Sequence, residues 1–70
     1  MNLVVNGKET SVDGRETLSI SQLLVALNVA DPLYVTVELN GDIQERSAFE
    51  QVVVRGGDKV EFLYFMGGGR

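Results

Sequence analysis

The run Gly67-Gly68-Gly69-Arg70 is the stretch of this chain whose residue types stand out, although taken alone it reads as a frayed chain end. A main chain without Cβ atoms passes through narrow channels and takes φ values closed to other residues. Three extended glycines reach about 10 Å, at roughly 3.3–3.6 Å per residue. That is enough to carry a terminal carboxylate from a folded body into another protein's active site. The usual catalytic ingredients are missing. The 70 residues include no His and no Cys, which removes the commonest base and metal ligand, the thiolate nucleophile, the Cys-type zinc site and any disulfide framework. The ten Asp and Glu residues are scattered along the chain instead of paired in an apolar cleft that would split their pKa values. They read as solvated surface charge. The sequence is therefore read as that of a protein that is not an enzyme, with no metal and no resident cofactor.

Charge and length narrow the partners. A net charge of −4 with six dispersed Lys and Arg residues argues against nucleic acid, because phosphate neutralisation needs a basic stripe. A basic protein partner is expected instead. The run from Met1 reads directly as a strand, without a basic leader or an apolar signal core, and eighteen consecutive apolar residues occur nowhere. The expectation is a cytoplasmic protein with no membrane role. A chain of 70 residues makes one domain, burying about 60% of the surface its unfolded form exposes.

The elements that must position the glycine run follow from periodicity and turn chemistry. Met1, Leu3 and Val5 alternate onto one face, and Asn6-Gly7 is the dipeptide best suited to the positive φ values of a two-residue hairpin. A more polar strand over Lys8 to Val12 follows, until Asp13-Gly14 breaks it. Ser19 and Gln22 have capping-box spacing, and Ile20, Leu23, Leu24 and Leu27 fall at i, i+3, i+4 and i+7. One amphipathic helix is predicted over Ser19 to Asn28, with Thr17 a rival cap and Asp31-Pro32 barring continuation. Tyr34 to Asn40 alternates as a third strand, and Asn40-Gly41 turns it into a short fourth around Ile43. Ser47 to Gln51 suits one helical turn that drops Phe49 into the core, and Arg55-Gly56-Gly57-Asp58 is a loop. The last strand starts at Lys59. Val60, Phe62, Tyr64 and Met66 share its inward face, with Tyr64 read as a core residue, while Lys59, Glu61, Leu63 and Phe65 share the other. The order β-β-α-β-β, closed by the last strand, predicts an α+β fold, a mixed sheet covered on one face by one helix.

This order, the two Asn-Gly turns, the passage Val54-Arg55-Gly56-Gly57-Asp58-Lys59-Val60 and the glycine run together resemble the thiamine-biosynthesis sulfur carriers, a bacterial branch of the ubiquitin-like β-grasp proteins. The resemblance covers the whole chain and implies a β-grasp domain over residues 1–66 and a flexible glycine tail over 67–70. It also implies a mechanism. An adenylating activating enzyme uses ATP to turn the glycine carboxylate into an acyl-adenylate. A sulfur-donating persulfide enzyme then supplies the sulfur that displaces AMP, and a thiazole synthase draws on the resulting thiocarboxylate. Related carriers serve molybdopterin, cysteine or methionine synthesis, so the receiving pathway is left open, with length and motif spacing favouring thiamine. Aligning the last strand with the family's terminal Gly-Gly makes Gly68 and Gly69 the match. Arg70 is one residue more than that pattern holds, so the form ending in Arg70 is expected to be a precursor whose trimming exposes the Gly69 carboxylate.

Ordering a glycine tail on docking costs roughly 1–2 kcal/mol per residue, so affinity must come from the folded body. Leu63 and Phe65 point away from the helix-covered face, and Val4 is expected beside them if the first and last strands are neighbours, as the β-grasp resemblance implies. Together they form a candidate docking patch. The blander readings are a frayed terminus for the glycine run and ordinary singly exposed apolar residues for Leu63 and Phe65. An interaction module of the same fold would be indifferent to truncation of the tail, whereas a carrier would not. Gly56-Gly57-Asp58 is weak evidence of an anion site and reads as fold geometry.

Overall fold

The computed structural model describes residues 1–65. In chain order it contains β1 (Asn2–Val5), β2 (Lys8–Ser11), β3 (Thr17–Ser19), α1 (Ile20–Ala26), β4 (Thr36–Leu39), β5 (Asp42–Gln44), a 3-10 turn over Arg46–Ala48, β6 (Val53–Arg55) and β7 (Lys59–Leu63). Five strands form one sheet in the order β2-β1-β7-β4-β5, and β3 pairs with β6 in a separate two-stranded ribbon. β1 and β7 run parallel, while β1–β2, β7–β4 and β4–β5 are antiparallel. The sheet is therefore mixed, with its one parallel pair made by the first and last strands.

Both hairpins arise from local chemistry. Asn6 and Gly7 have φ of 49° and 81°, and Asn40 and Gly41 have φ of 52° and 91°. Two consecutive positive φ values give the turn whose twist matches a right-handed strand pair, and the ladders close at Val5↔Lys8 and Leu39↔Asp42. The capping box of α1 is complete. The Ser19 hydroxyl accepts from the Gln22 amide at 3.1 Å, and the Gln22 side-chain oxygen accepts from the Ser19 amide at 2.9 Å. These two bonds satisfy donors that the first helical turn leaves free.

The sequence reading and the structure part at several points. α1 stops at Ala26 instead of Asn28, well before Asp31-Pro32. Asn28 takes φ 53°, its amide bonds the Val25 carbonyl, and the Val29 amide bonds the Leu24 carbonyl, each at 3.0 Å. This pair of bonds is a Schellman motif with Asn in the left-handed position. Thr17 is not a cap but the first residue of β3. β4 begins at Thr36, because the Tyr34 amide is spent on the Asp31 carbonyl in a turn. β2 ends at Ser11, although Val12 is buried as expected and its amide bonds Met1. The helical turn sits at Arg46–Ala48, and it does bury Phe49. Tyr64 is 46% exposed, so it is not a core residue. Its ring lies beyond the last ladder pair of β7, where no neighbouring strand covers it. The predicted facing of Met66 lies outside the described residues.

One core sits between the sheet and the elements laid over it. Leu3, Val37 and Val60 enter from the three central strands, Ile20, Leu23 and Leu24 from α1, Leu18 and Val54 from the ribbon, and Phe49 from the segment after the 3-10 turn. The ribbon thus buries apolar surface that one helix of seven residues is too short to cover. Among the described residues no buried side-chain polar atom lacks a hydrogen-bond partner, which matters because each such orphan costs about 1–3 kcal/mol.

The outward face of the sheet is more polar, and one register pair on it is unfavourable. Glu38 of β4 lies directly opposite Glu61 of β7, and like charges directly opposite one another destabilise a sheet. Replacing Glu61 by Gln is expected to raise stability by about 0.2–1 kcal/mol, measured as a higher urea midpoint with an unchanged slope. The gain should shrink in 1 M salt, where the Debye length falls to about 3 Å.

Candidate functional site

The last strand delivers the chain toward its glycine run, and its neighbours decide how firmly. β7 is bonded on one side to β4 through Thr36↔Leu63, Val37↔Phe62, Glu38↔Glu61 and Leu39↔Val60. On the other side β1 pairs only as far as Val5↔Val60, because Asn6-Gly7 turns β1 back into β2. Asn6 fills the gap this leaves. Its amide donates to the Val60 carbonyl at 2.9 Å, and its side-chain oxygen accepts from the Phe62 amide at 2.8 Å. One residue thus supplies both the turn conformation and a substitute strand partner for β7. The strand stays anchored on both sides to within one residue of Leu63.

Leu63 is half-buried and Phe65 is 73% exposed. Leu63 closes β7 and Phe65 follows two residues beyond it, outside the strand, and the structure separates Leu63 from Val4. β1 and β7 are neighbours, yet Val4 pairs with Lys59. Leu63 lies four residues further along, a distance of about 13 Å at roughly 3.3 Å per residue, with Glu61 between them on the same face. The reason is topological: β1 ends at the hairpin turn before reaching the level of Leu63. Sequence reasoning also missed Glu38, Glu61 and Ile43 as one row across β7, β4 and β5. Ile43 is 63% exposed. The alternation of each strand was legible, but the row exists only through a β4–β7 pairing that local sequence does not encode. Gly68 and Gly69, the expected sulfur-carrying residues, lie outside the described residues, as do Arg70 and the expected flexibility of the tail.

The segment before β7 offers no anion site. The Gly57 amide bonds Asn2, the Asp58 amide bonds Arg55, the Lys59 amide bonds the Asn40 side chain, and the Arg55 amide bonds the Asp58 carboxylate. Asp58 also accepts from the Asn40 side chain at 3.1 Å. These bonds tie the loop to the β4–β5 turn and leave those amides committed. A groove of about 770 Å³ opens between α1 and the 3-10 turn, lined by Leu24, Val25, Val29, Leu33 and Phe49 among others. Its cation is occupied, since Arg46 donates to the Pro32 and Val35 carbonyls. Among the described residues no group of three His, Cys, Asp or Glu side chains could hold a metal ion, and no helix is long and apolar enough to cross a membrane.

Comparison with known proteins bears on the identity of this arrangement. The crystal structure of the thiamine biosynthesis protein ThiS from Geobacter metallireducens is 62% identical and superposes with a TM-score of 0.94, covering 99% of this chain and 100% of that one. A solution structure of a thiamine biosynthesis protein from the same organism is 61% identical, with a TM-score of 0.80 over 100% of this chain and 90% of that one. A thiazole synthase from Paramagnetospirillum magneticum is 41% identical over 69 residues, which take in 99% of this chain. The chain spans 20% of the length of that curated relative. The ThiS family model matches residues 3–69, a span that takes in β1 except for Asn2, every later strand to β7, and Gly68 and Gly69, and the ubiquitin-like β-grasp chain described above therefore belongs to the ThiS family.

Proposed function

We propose that this protein is a sulfur carrier for the thiazole of thiamine, acting as a protein co-substrate and not as an enzyme. The observation that carries the reading is the 62% identity to a thiamine biosynthesis protein over 99% of the chain. The likeness to a stretch of a thiazole synthase supports a thiazole-forming enzyme as the recipient. Residues 1–66 are the docking body, and of the glycine tail over 67–70 the part that enters the partners is Gly67 to Gly69. The Gly69 carboxylate, once Arg70 is removed, attacks the α-phosphorus of ATP on an adenylating enzyme and releases pyrophosphate. The terminal sulfur of a persulfide on a second enzyme then attacks the acyl carbon and expels AMP. A thiol breaks the resulting S–S bond and leaves the thiocarboxylate, which a thiazole synthase consumes. The carrier supplies no acid or base to these steps. Gly68 and Gly69 supply a backbone thin enough to reach the reacting phosphate.

Leu63 and Phe65 are the docking contacts of this reading, with the Glu38–Glu61 pair beside them suited to a basic partner surface. Val4 sits at the far end of the same face and contributes less. Replacing Phe65 by Asp leaves the melting temperature near that of the wild type. It raises KM for the carrier in adenylation by at least about fivefold, the effect of losing about 1 kcal/mol at an interface anchor. Leu63→Asp acts in the same direction, and Val4→Thr acts weakly. Unchanged adenylation kinetics for Phe65→Asp and Leu63→Asp would remove the patch from the account.

The carboxylate itself is tested with chains ending at Gly69 and at Arg70, compared for ATP–pyrophosphate exchange with the cognate adenylating enzyme. The Gly69 form exchanges and the Arg70 form does not, because a cationic side chain beside the reacting carbon does not enter a channel shaped for glycine. Intact-mass analysis of protein isolated from its own cells shows one carboxyl oxygen replaced by sulfur. Equal exchange by both forms overturns the precursor step, and an absence of exchange by both overturns the carrier reading.

A further inference from the structure

Two side-chain contacts, remote in sequence from each other, converge on the connection between α1 and β4. This connection contains two residues other than glycine in the left-handed region, Asn28 at φ 53° and Asp31 at φ 48°. From one side Arg46 holds it, with Nη1 donating to the Pro32 carbonyl and Nη2 to the Val35 carbonyl, each at 2.8 Å. The Arg46 guanidinium is itself seated over the Phe49 ring, 5.1 Å from its centroid. From the other side Tyr64, the first residue beyond β7, donates its hydroxyl to the Ala30 carbonyl across 34 positions of sequence. The connection is thus a fixed post, braced by the core through Arg46 and Phe49, and Tyr64 is tied to it.

The bond has little to do with keeping the domain folded. Tyr64 is 46% exposed, and its hydroxyl has water as an alternative partner, so the net gain from the bond is small. Its effect is directional. The ladder of β7 ends at Leu63, and beyond that pair no strand partner sets the course of the backbone. The Tyr64–Ala30 bond sets it instead, one residue before Phe65. We propose that Tyr64 is a positioning residue for the carrier reaction, holding the backbone on leaving the sheet so that the reacting carboxylate starts its reach from one origin and one direction. This rests on the carrier reading above. A linked group reacts at an effective concentration set by how well its tether matches the span to be crossed. A chain that swings freely from Leu63 explores more volume than one pinned at Tyr64, so fewer docked complexes hold the carboxylate at the nucleotide.

The test is Tyr64→Phe, which keeps the ring and removes the hydroxyl, made in the chain ending at Gly69 and assayed with the cognate adenylating enzyme and ATP. KM for the carrier stays within about twofold of the wild type, because Leu63 and the β7 ladder that carries it are untouched, while kcat for pyrophosphate exchange falls about fivefold as fewer docked complexes hold the carboxylate at the nucleotide. The thermal midpoint stays that of the wild type. In the free protein the residual dipolar coupling of the Phe65 amide, well defined in the wild type, collapses toward zero in the variant, while the couplings of β7 are unchanged. An unchanged kcat, a rise in KM alone, or a loss of activity that tracks a lowered midpoint each overturns the proposal. If the wild-type chain is not adenylated, the carrier reading fails on its own. The Phe65 coupling then decides the positioning role by itself, since an unaltered value shows that the hydroxyl directs nothing.

Discussion

Everything in this fold depends on β7 lying between β1 and β4. That strand is the last element among the described residues, and its pairing with β1 joins Val4 to Lys59 and Val5 to Val60, so the sheet closes only when nearly the whole described sequence has been brought together. Long-range pairing of this kind carries the loop-closure entropy of the intervening chain before any contact offsets it. The offset comes from the core, where Val60 meets Leu3 and Val37 from the flanking strands and the leucines of α1 from above. The consequence reaches function directly. A terminal segment would ordinarily leave from a frayed edge, but here it leaves from the centre of a sheet, anchored by backbone pairing on one side and by pairing and the Asn6 side chain on the other.

What was legible in the sequence was whatever a few neighbouring residues decide. The two Asn-Gly turns needed only the tolerance of those residues for positive φ, and the capping box needed only Ser19 and Gln22 three positions apart. What was not legible depends on distant partners. β3 and β6 are three residues each and pair across more than thirty positions, so neither carries a periodic signal of its own. The neighbourhood of β1 and β7 was expected from the family resemblance, but its register was not, and a register decides which residues share a row. That is why Val4 fell away from Leu63 while Glu38, Glu61 and Ile43 came together. Asn28 hid the helix stop for a different reason: Asn in the left-handed position ends a helix as glycine does, but its presence in a sequence does not announce that conformation.

In the carrier reading, a division of labour between body and tail follows from what each is able to contribute. A segment of glycines has no side chains with which to bind, and its ordering opposes association. A folded body with neither His nor Cys has little with which to activate a carboxylate. The two are complementary only if the body docks by its surface and the tail reacts by its end. In the carrier reading, docking strength and reactivity are then governed by separate residues, Leu63 and Phe65 for the first and the glycines for the second, so each could change without loss of the other.

The Glu38–Glu61 pair fits the same logic from the side of stability. A small domain has few kcal/mol to spare, and its sheet holds two carboxylates directly opposite one another beside exposed Ile43. In the isolated protein the repulsion is softened by solvent and salt. Against a surface of Lys or Arg the sign of the interaction reverses, because a cation between two carboxylates is attracted by both while it lowers their repulsion. Apolar residues nearby exclude water from such a contact and strengthen it by lowering the effective dielectric. A pair that weakens the free domain is thus compatible with tight recognition of a basic surface, and the same two residues would turn away an acidic one, which is how charge contributes more to the choice of partner than to affinity.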